Sequence, residues 1–303
     1  MICHQLTALC LGTLFCSVAY FISRYSYNKT YKAEDKRIIQ YKEIVLRRVV
    51  FDVRVLVTGS TGYLGSALLF RLKDTEYKVK ITSRKRPRDW QQLDWVYSDL
   101  VSGEGLEDAV KDVDVVIHAA TSPMKNIKKV EIEGLGNLLS KLQHIQHFIY
   151  PSIVGIEEIP WKYYQLKLEA EELLSKSTVP YTIARATQFH GFVENLLLSK
   201  PFFNRYVIPG RWKVQSVDVH EFATHLIDLV DIGPQERVED YGGPEIMTIR
   251  EMAEVKINTK KEENLVFDVS LPGRISKAFV EGKNTNINIQ KGEVTFEQFL
   301  RNK

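Results

Sequence analysis

The sequence predicts an α/β fold, a parallel sheet doubly wound with helices on both faces, and three observations predict it. From Val53 onward, apolar strand-like runs alternate with stretches of helical periodicity. The first run leads through a glycine-rich turn straight into a helical stretch. Residues able to do chemistry fall just after the strand-like runs, at the ends where open α/β sheets bind ligands.

The first unit carries the most information. Val55-Leu56-Val57 reads as a strand, Thr58-Gly59-Ser60-Thr61-Gly62-Tyr63-Leu64-Gly65 as a turn, and Ser66 to Leu72 as a helix. A dinucleotide's pyrophosphate must come within hydrogen-bonding distance of backbone N–H groups at a helix N-terminus, and side chains would block that approach. Gly59 is expected to make the tight turn, Gly62 to admit the phosphates and Gly65 to let the helix pack on its strand. Ser60, Thr61, Tyr63 and Leu64 complete the expected cofactor-binding turn. Glycines also gather in ordinary loops; the strand before this turn and the helix after it favour a Rossmann-type dinucleotide site.

Ahead of that unit, Leu6 to Ile22 is an apolar run without a charged residue, a little short of the roughly 20 residues that cross a bilayer unaided. Its flanking charge lies almost wholly on the C-terminal side, at Arg24, Lys29, Lys32, Lys36 and Arg37, which places the large domain in the cytoplasm. Residues 1–28 are therefore expected to form a membrane anchor and residues 29–52 a charged linker. Two other readings stay open. Ser17-Val18-Ala19 resembles a signal-peptidase site, although the residues before the apolar run lack Lys and Arg, and the segment can also be an extension outside the working fold. Residues 53–190 are expected to form an NAD(P)-binding core, with a small substrate lobe over 191–303 packed on it. All three cysteines, Cys3, Cys10 and Cys16, precede the core, so neither it nor the lobe can hold a disulfide framework or a CxxC metal site. A net charge of +3 gives no reason to expect nucleic acid as a partner.

The later strands are expected at Val79 to Thr82, Trp95 to Tyr97, Val113 to Ile117, His147 to Tyr150 and Tyr181 to Ala184. The second ends in Ser83-Arg84-Lys85, where an NAD-specific site carries an acid for the ribose hydroxyls; a guanidinium suits a 2′-phosphate, so NADP is expected over NAD. Asp99-Leu100 follows the third strand, within reach of an adenine. Ala119-Ala120-Thr121 follows the fourth, where small residues let backbone approach the cofactor. Val130 to Leu142 reads as an amphipathic helix with a structural role.

After the fifth strand come Ser152 and then a helix that begins near Tyr163. Tyr163 and Lys167 share a face with Leu166, Ala170 and Leu174, so Lys167 lies in an inward stripe where an unpaired ammonium is costly. It needs a buried partner or a ligand, unless its stem runs along the core edge and its amine reaches solvent.

Taken together, TGSTGYLG, Ser83-Arg84, His118-Ala119-Ala120-Thr121, Ser152, Tyr163-x-x-x-Lys167 and Arg185-Ala186-Thr187-Gln188-Phe189-His190 resemble the short-chain dehydrogenase/reductase superfamily, and most of all its atypical, NmrA-like branch. The resemblance continues through Gly242 to Thr248, Leu271-Pro272-Gly273 and Thr295 to Leu300, and leaves the first fifty residues unexplained. It implies that Tyr163 protonates a substrate carbonyl while NADPH delivers hydride. Lys167 is implied to bind the nicotinamide ribose and lower the tyrosine pKa, and Ser152 to polarise the same carbonyl. The expected activity is reduction of a carbonyl or quinone-like small molecule. A non-catalytic NADPH-binding redox sensor, regulator or assembly factor with a protein partner is the alternative, and a sugar-nucleotide epimerase or dehydratase comes third.

In the lobe, Phe189, His190, Phe192, Phe202, Phe203, Tyr206 and Asn195 cluster where they could overhang the nicotinamide, though plain core packing is the expectation, with His190 a packing histidine. Thr248 with Glu251 and Thr295 with Gln298 have capping-box spacing. Lys256 to Glu263 is expected to be a polar connection rather than helix.

Overall fold

The computed structural model describes residues 53–303. The expected membrane anchor and linker lie outside the described residues, and among the described residues no helix is long and apolar enough to cross a membrane. β1 (Arg54–Thr58) leads into α1 (Tyr63–Leu72), followed by β2 (Lys78–Ser83), β3 (Asp94–Tyr97), α2 (Leu106–Val110) and β4 (Val115–His118). A π-helical turn over Lys129–Gly134 runs into α3 (Leu135–Leu139), then come β5 (His147–Ile153), α4 (Lys162–Ser175) and β6 (Tyr181–Ala186). The remainder holds α5 (His190–Leu197), β7 (Arg205–Ile208), β8 (Lys213–Val214), α6 (Val219–Ile232), β9 (Glu236–Arg237), β10 (Met247–Thr248), α7 (Ile249–Lys260), β11 (Leu265–Asp268), α8 (Arg274–Glu281) and α9 (Phe296–Arg301).

Strands β3-β2-β1-β4-β5-β6-β9 form one sheet in that order, and every pairing in it is parallel. The chain moves outward from β1 to β3 and then crosses back to β4, so the order reverses between β1 and β4. That switch point opens the crevice in which such sheets bind ligands. The strands read as unbroken apolar runs because both faces are covered. Val55 and Val57 pack with Leu68, Leu69 and Leu72 of α1 and Phe222 and Leu226 of α6 on one face. Leu56 packs on the other face with Leu135, Leu138, Ala170 and Leu174. Each such aliphatic side chain, fully buried, contributes about 1.5–3 kcal/mol relative to exposure.

Helix α4, which carries Tyr163 and Lys167, is held to the sheet by an ion pair as well as by packing. Arg185 of β6 donates from Nε and Nη2 to the two oxygens of Glu171 at 2.8 and 2.5 Å, and its Nη1 meets Glu157 at 2.6 Å. Arg185 and Glu171 are both buried, so the bidentate geometry is what offsets the cost of taking the two charges out of water.

Three sequence expectations need revision. β5 continues to Ile153 because β6 pairs with it as far as Ile153↔Ala186, which puts Ser152 inside the strand rather than after it. The helix expected over Val130 to Leu142 is a π-turn followed by a short α-helix; the wider turn carries Glu131 into the interior, where it is 2% exposed. α7 persists through Lys260 instead of ending before Lys256, because Lys256 is buried, donates to the Leu198 carbonyl at 2.6 Å and pairs with Glu194 at 3.2 Å. Both capping boxes form as their spacing predicts.

His118 and His147 are buried in the sheet. Burial holds them neutral, with the charge of Lys167 adding to the effect on His118, and their pKa values fall from 6.5 to about 3 and about 4. Below about pH 6.5 the unfolded chain therefore binds protons that the folded chain does not. The histidines' contribution is complete above that pH and is lost progressively as pH falls toward their folded values. The thermal unfolding midpoint should decline as pH is lowered from about 6.5 to about 4, and His147→Gln should make the decline shallower. An unchanged slope in that variant would contradict the assignment of His147.

Candidate functional site

The carboxyl ends of β1, β2, β4, β5 and β6 surround a cleft of about 930 Å³. At its floor three stretches of backbone touch. Gly59 has φ +64, and a Cβ there would lie 2.5 Å from backbone atoms of Ala120, so both conformation and space require glycine. A Cβ on Gly65 would lie 2.1 Å from the Gly59 carbonyl oxygen. Gly65 thus seats α1 on the turn itself rather than on the strand. Gly62 differs: its φ of −81 is open to any residue, and a Cβ would meet only the Gly59 carbonyl, at 3.1 Å. Gly62 is the N-cap of α1, with no side chain capping the first turn, and it lines the cleft with Thr61, Tyr63 and Leu64. An uncapped N-terminus of a ten-residue helix bordering a cleft suits a phosphate. Ser60 is the exception among the expected contacts. Its side chain is buried and directed at the Thr82 carbonyl, 3.3 Å away, so it braces the turn instead of facing the cleft.

Arg84 is exposed, lines the cleft, and borders an adjoining hollow of about 500 Å³ with Thr61, Ser83 and Lys85. Among the described residues it has no hydrogen-bond or ion-pair partner. Asp99, Leu100, Ala119, Ala120 and Thr121 also line the cleft. One Asp99 oxygen accepts from the Val101 N–H at 2.8 Å, so this carboxylate shapes its own loop.

Tyr163, Lys167 and Ser152 converge on the same cleft. The Tyr163 hydroxyl lies 2.8 Å from Thr121 Oγ1, and Thr121 Oγ1 donates to Glu131 Oε1 at 2.5 Å. Thr121 therefore accepts from the tyrosine, and a directed chain runs from the phenol to a buried carboxylate. Lys167 Nζ donates to the Tyr150 hydroxyl and the Pro151 carbonyl, both at 2.9 Å, and lies 3.6 Å from Glu131 Oε2. It also sits 4.0 Å from the centre of the Tyr150 ring. The buried partner that Lys167 needs is Glu131. Burial lowers the Lys167 pKa, against the opposing pull of Glu131 and Glu171.

The Tyr163 hydroxyl does not follow the resemblance. Burial first, and the Glu131 charge second, raise it well above the ordinary phenol range, while Thr121 opposes the rise. Lys167, which the resemblance implies would lower it, has its ammonium at Glu131 and Tyr150. Ser152 Oγ is buried and has no hydrogen-bond partner, an orphaned donor on the wall of a cleft.

Sequence reasoning missed Glu131, Tyr150 and Trp161. Glu131 had a signal: with Leu135 and Leu138 it falls at helical spacing on one face, a single carboxylate in an apolar stripe. Trp161 lines the cleft and packs on Tyr163 and Tyr164 at 5.9 and 5.3 Å. Of the lobe aromatics, Phe189 and Phe192 line the cleft. Tyr206 is core. His190 is a packing histidine as expected, with Nε2 donating to the Val294 carbonyl at 2.9 Å and Nδ1 accepting from Ser216 at 2.8 Å. Phe202, Phe203 and Asn195 are exposed.

Comparison with known proteins agrees with this geometry. Residues 59–191 match the NAD(P)H-binding family. The chain is 26% identical over 153 residues to the photosystem II assembly factor Ycf39 of Trieres chinensis, covering 46% of this chain and 47% of that protein. It is 26% identical over 228 residues to the chloroplastic divinyl chlorophyllide a 8-vinyl-reductase of Arabidopsis thaliana, covering 64% and 54%. The chain thus spans about half the length of these relatives. Among solved structures, an NADPH-dependent quinone oxidoreductase of Escherichia coli complexed with NADPH has a TM-score of 0.69 at 14% identity over 82% of this chain and 99% of that one. A nucleoside-diphosphate-sugar epimerase of Staphylococcus aureus has a TM-score of 0.67 at 18% identity over 82% and 100%. Residues 59–191 are thus similar to an NAD(P)H-binding domain, and the solved structures share the Rossmann-type fold.

Proposed function

We propose that this chain is an NADPH-dependent oxidoreductase that reduces a carbonyl or quinone-like small molecule. The observation that carries the reading is the orphaned Ser152 hydroxyl, which shares the cleft with the Tyr163 hydroxyl. Once the Tyr163 proton turns from Thr121 to the substrate, two hydroxyl donors serve one acceptor oxygen, which is what a carbonyl under reduction requires. A solved quinone oxidoreductase of the same fold and a reductase among the relatives support this class of reaction.

The bare helix N-terminus, the space above Gly62 and the unpaired Arg84 fit a phosphorylated dinucleotide: the turn would hold the pyrophosphate and Arg84 the 2′-phosphate. When bound, the nicotinamide supplies hydride to the substrate carbon. Ser152 Oγ donates a hydrogen bond to the substrate oxygen and Tyr163 gives that oxygen its proton. Thr121 lies within hydrogen-bond distance of the phenolic oxygen and can turn its hydroxyl from Glu131 to steady the phenolate, and water entering the cleft returns the proton. Lys167 offsets the carboxylate charge and, lining the cleft, remains the candidate for the nicotinamide ribose. We place the chain at a membrane through residues 1–28, with this domain on the cytoplasmic side, on the sequence pattern alone.

A second reading has its own support. Because Lys167 is turned to Glu131 and the Tyr163 proton is held tightly, the tyrosine is not activated in the manner of the wider superfamily, and one relative is named an assembly factor. Binding of NADPH without turnover fits that reading.

Titration of the purified protein with NADPH and then NADH, followed by tryptophan fluorescence, tests the cofactor assignment, and NADPH oxidation against a panel of quinones and carbonyls tests the reaction. Gly62→Val should keep the fold, its unfolding free energy within about 1 kcal/mol of the parent, and lose dinucleotide binding. Arg84→Ala should weaken NADPH by about tenfold or more, as expected for one charge-assisted bond, and leave NADH unchanged. Tyr163→Phe should bind NADPH normally and turn over about 10²–10⁴-fold more slowly; normal turnover in that variant would overturn its assignment.

A further inference from the structure

The turn that precedes β7 runs against backbone preference. Phe202 N–H donates to the Arg205 carbonyl at 2.8 Å and Arg205 N–H to the Phe202 carbonyl at 3.0 Å, closing a two-residue turn. Both central residues are left-handed, Phe203 at φ 45 and Asn204 at φ 56. Asparagine tolerates that conformation, but a phenylalanine there is an outlier where glycine is the default. The strained residue is also the most exposed large apolar side chain among the described residues, at 80%, and Phe202, at 69%, lies edge-on to it at 4.5 Å.

The neighbouring strands extend the same surface. Tyr206 and Ile208 enter the lobe core, so alternation turns Arg205 and Val207 outward. β11 pairs with β7 in parallel, Leu265 beside Arg205 and Phe267 beside Val207, and Val207, Leu265 and Phe267 are all exposed. Five large apolar side chains are thus exposed on this turn and the strand pair that follows it, and neither packing in the lobe nor the candidate cleft uses them.

The charge around this face is mostly positive. From Asn195 to Val217 the sequence has no Asp or Glu but has Lys200, Arg205, Arg211 and Lys213. Lys200, Arg205 and Arg211 are exposed, as are Lys260 and Lys261 ahead of β11, and the Arg205 guanidinium lies 5.7 Å from the Phe267 ring centre. The acids nearby are largely occupied. Glu262 accepts from Tyr206 and Asn264, and Asp268 pairs with Arg250, which leaves Glu263. Aromatic side chains rimmed by cations match the boundary of an anionic bilayer, where rings enter the headgroup layer and cations meet lipid phosphates and carboxylates. A separate feature points the same way: the uncharged apolar run Leu6 to Ile22, outside the described residues, is followed by basic residues.

We infer that the Phe202–Phe203 turn and the outward face of β7 and β11 dock on an anionic phospholipid surface. This contact is independent of turnover at the cleft and of whether the N-terminal run anchors the chain. The test uses the full chain carrying Phe203→Trp, mixed with vesicles of equimolar phosphatidylcholine and phosphatidylserine with brominated acyl chains. The expected result is several-fold stronger quenching of the introduced tryptophan than of the four native ones in the parent protein. Quenching should be largely lost when Lys200, Arg205 and Arg211 are replaced by Ser. Vesicle-bound protein whose introduced tryptophan stays unquenched would overturn the inference, since the attachment would then lie elsewhere. So would a concentration-dependent blue shift of that tryptophan without vesicles, which would mean that a second copy covers this face.

Discussion

Everything in the candidate site depends on the close approach of backbone to backbone at the end of β1. Gly59 lies against Ala120, and Gly65 lies against Gly59, at separations that leave no room for a Cβ. This contact sets how α1 leaves the sheet, and so where its uncapped first turn lies relative to the ends of β2 and β4. Gly62, free of such contact, borders the cleft instead. One turn therefore uses glycine in two ways: twice for packing that any side chain would break, and once for space that a ligand can use.

The second constraint is electrostatic. Lys167 lies on the inward face of α4, and an ammonium buried there without a partner would be costly. Glu131, swung inward by a π-turn, supplies the opposite charge. The same carboxylate accepts from Thr121, which accepts from Tyr163. The lysine's charge and the tyrosine's proton are thereby tied to one acid. Burial first, and the charge of this acid second, push the phenol up rather than down. The site also departs from the pattern that the sequence resemblance implies, in which lysine acts on tyrosine directly.

Away from the cleft, the lobe divides its aromatic residues by burial. Tyr206 and His190 complete a core with satisfied polar atoms, while Phe202, Phe203 and Phe267 are held in solvent by a strained turn and by strand alternation. Residues close in sequence and alike in chemistry thus have opposite environments, because a strand sends neighbours to opposite faces.

The sequence by itself determined the parallel sheet, the glycine turn and the capping boxes, since each rests on local periodicity, local conformational preference or hydrogen bonds over a few residues. It also identified Lys167 as a charge in need of a partner, because helical spacing alone places it inward. The identity of that partner was decided only by the tertiary structure. Glu131 is thirty-six positions away, and a π-turn that no periodicity announces brings it to Lys167. The same holds for Ser152, carried into β5 by pairing with β6, and for Ser60, drawn toward a carbonyl of the neighbouring strand. Which titratable groups meet in a buried cleft depends on contacts between distant segments, and their energies are set by burial and geometry that exist only once the sheet has formed.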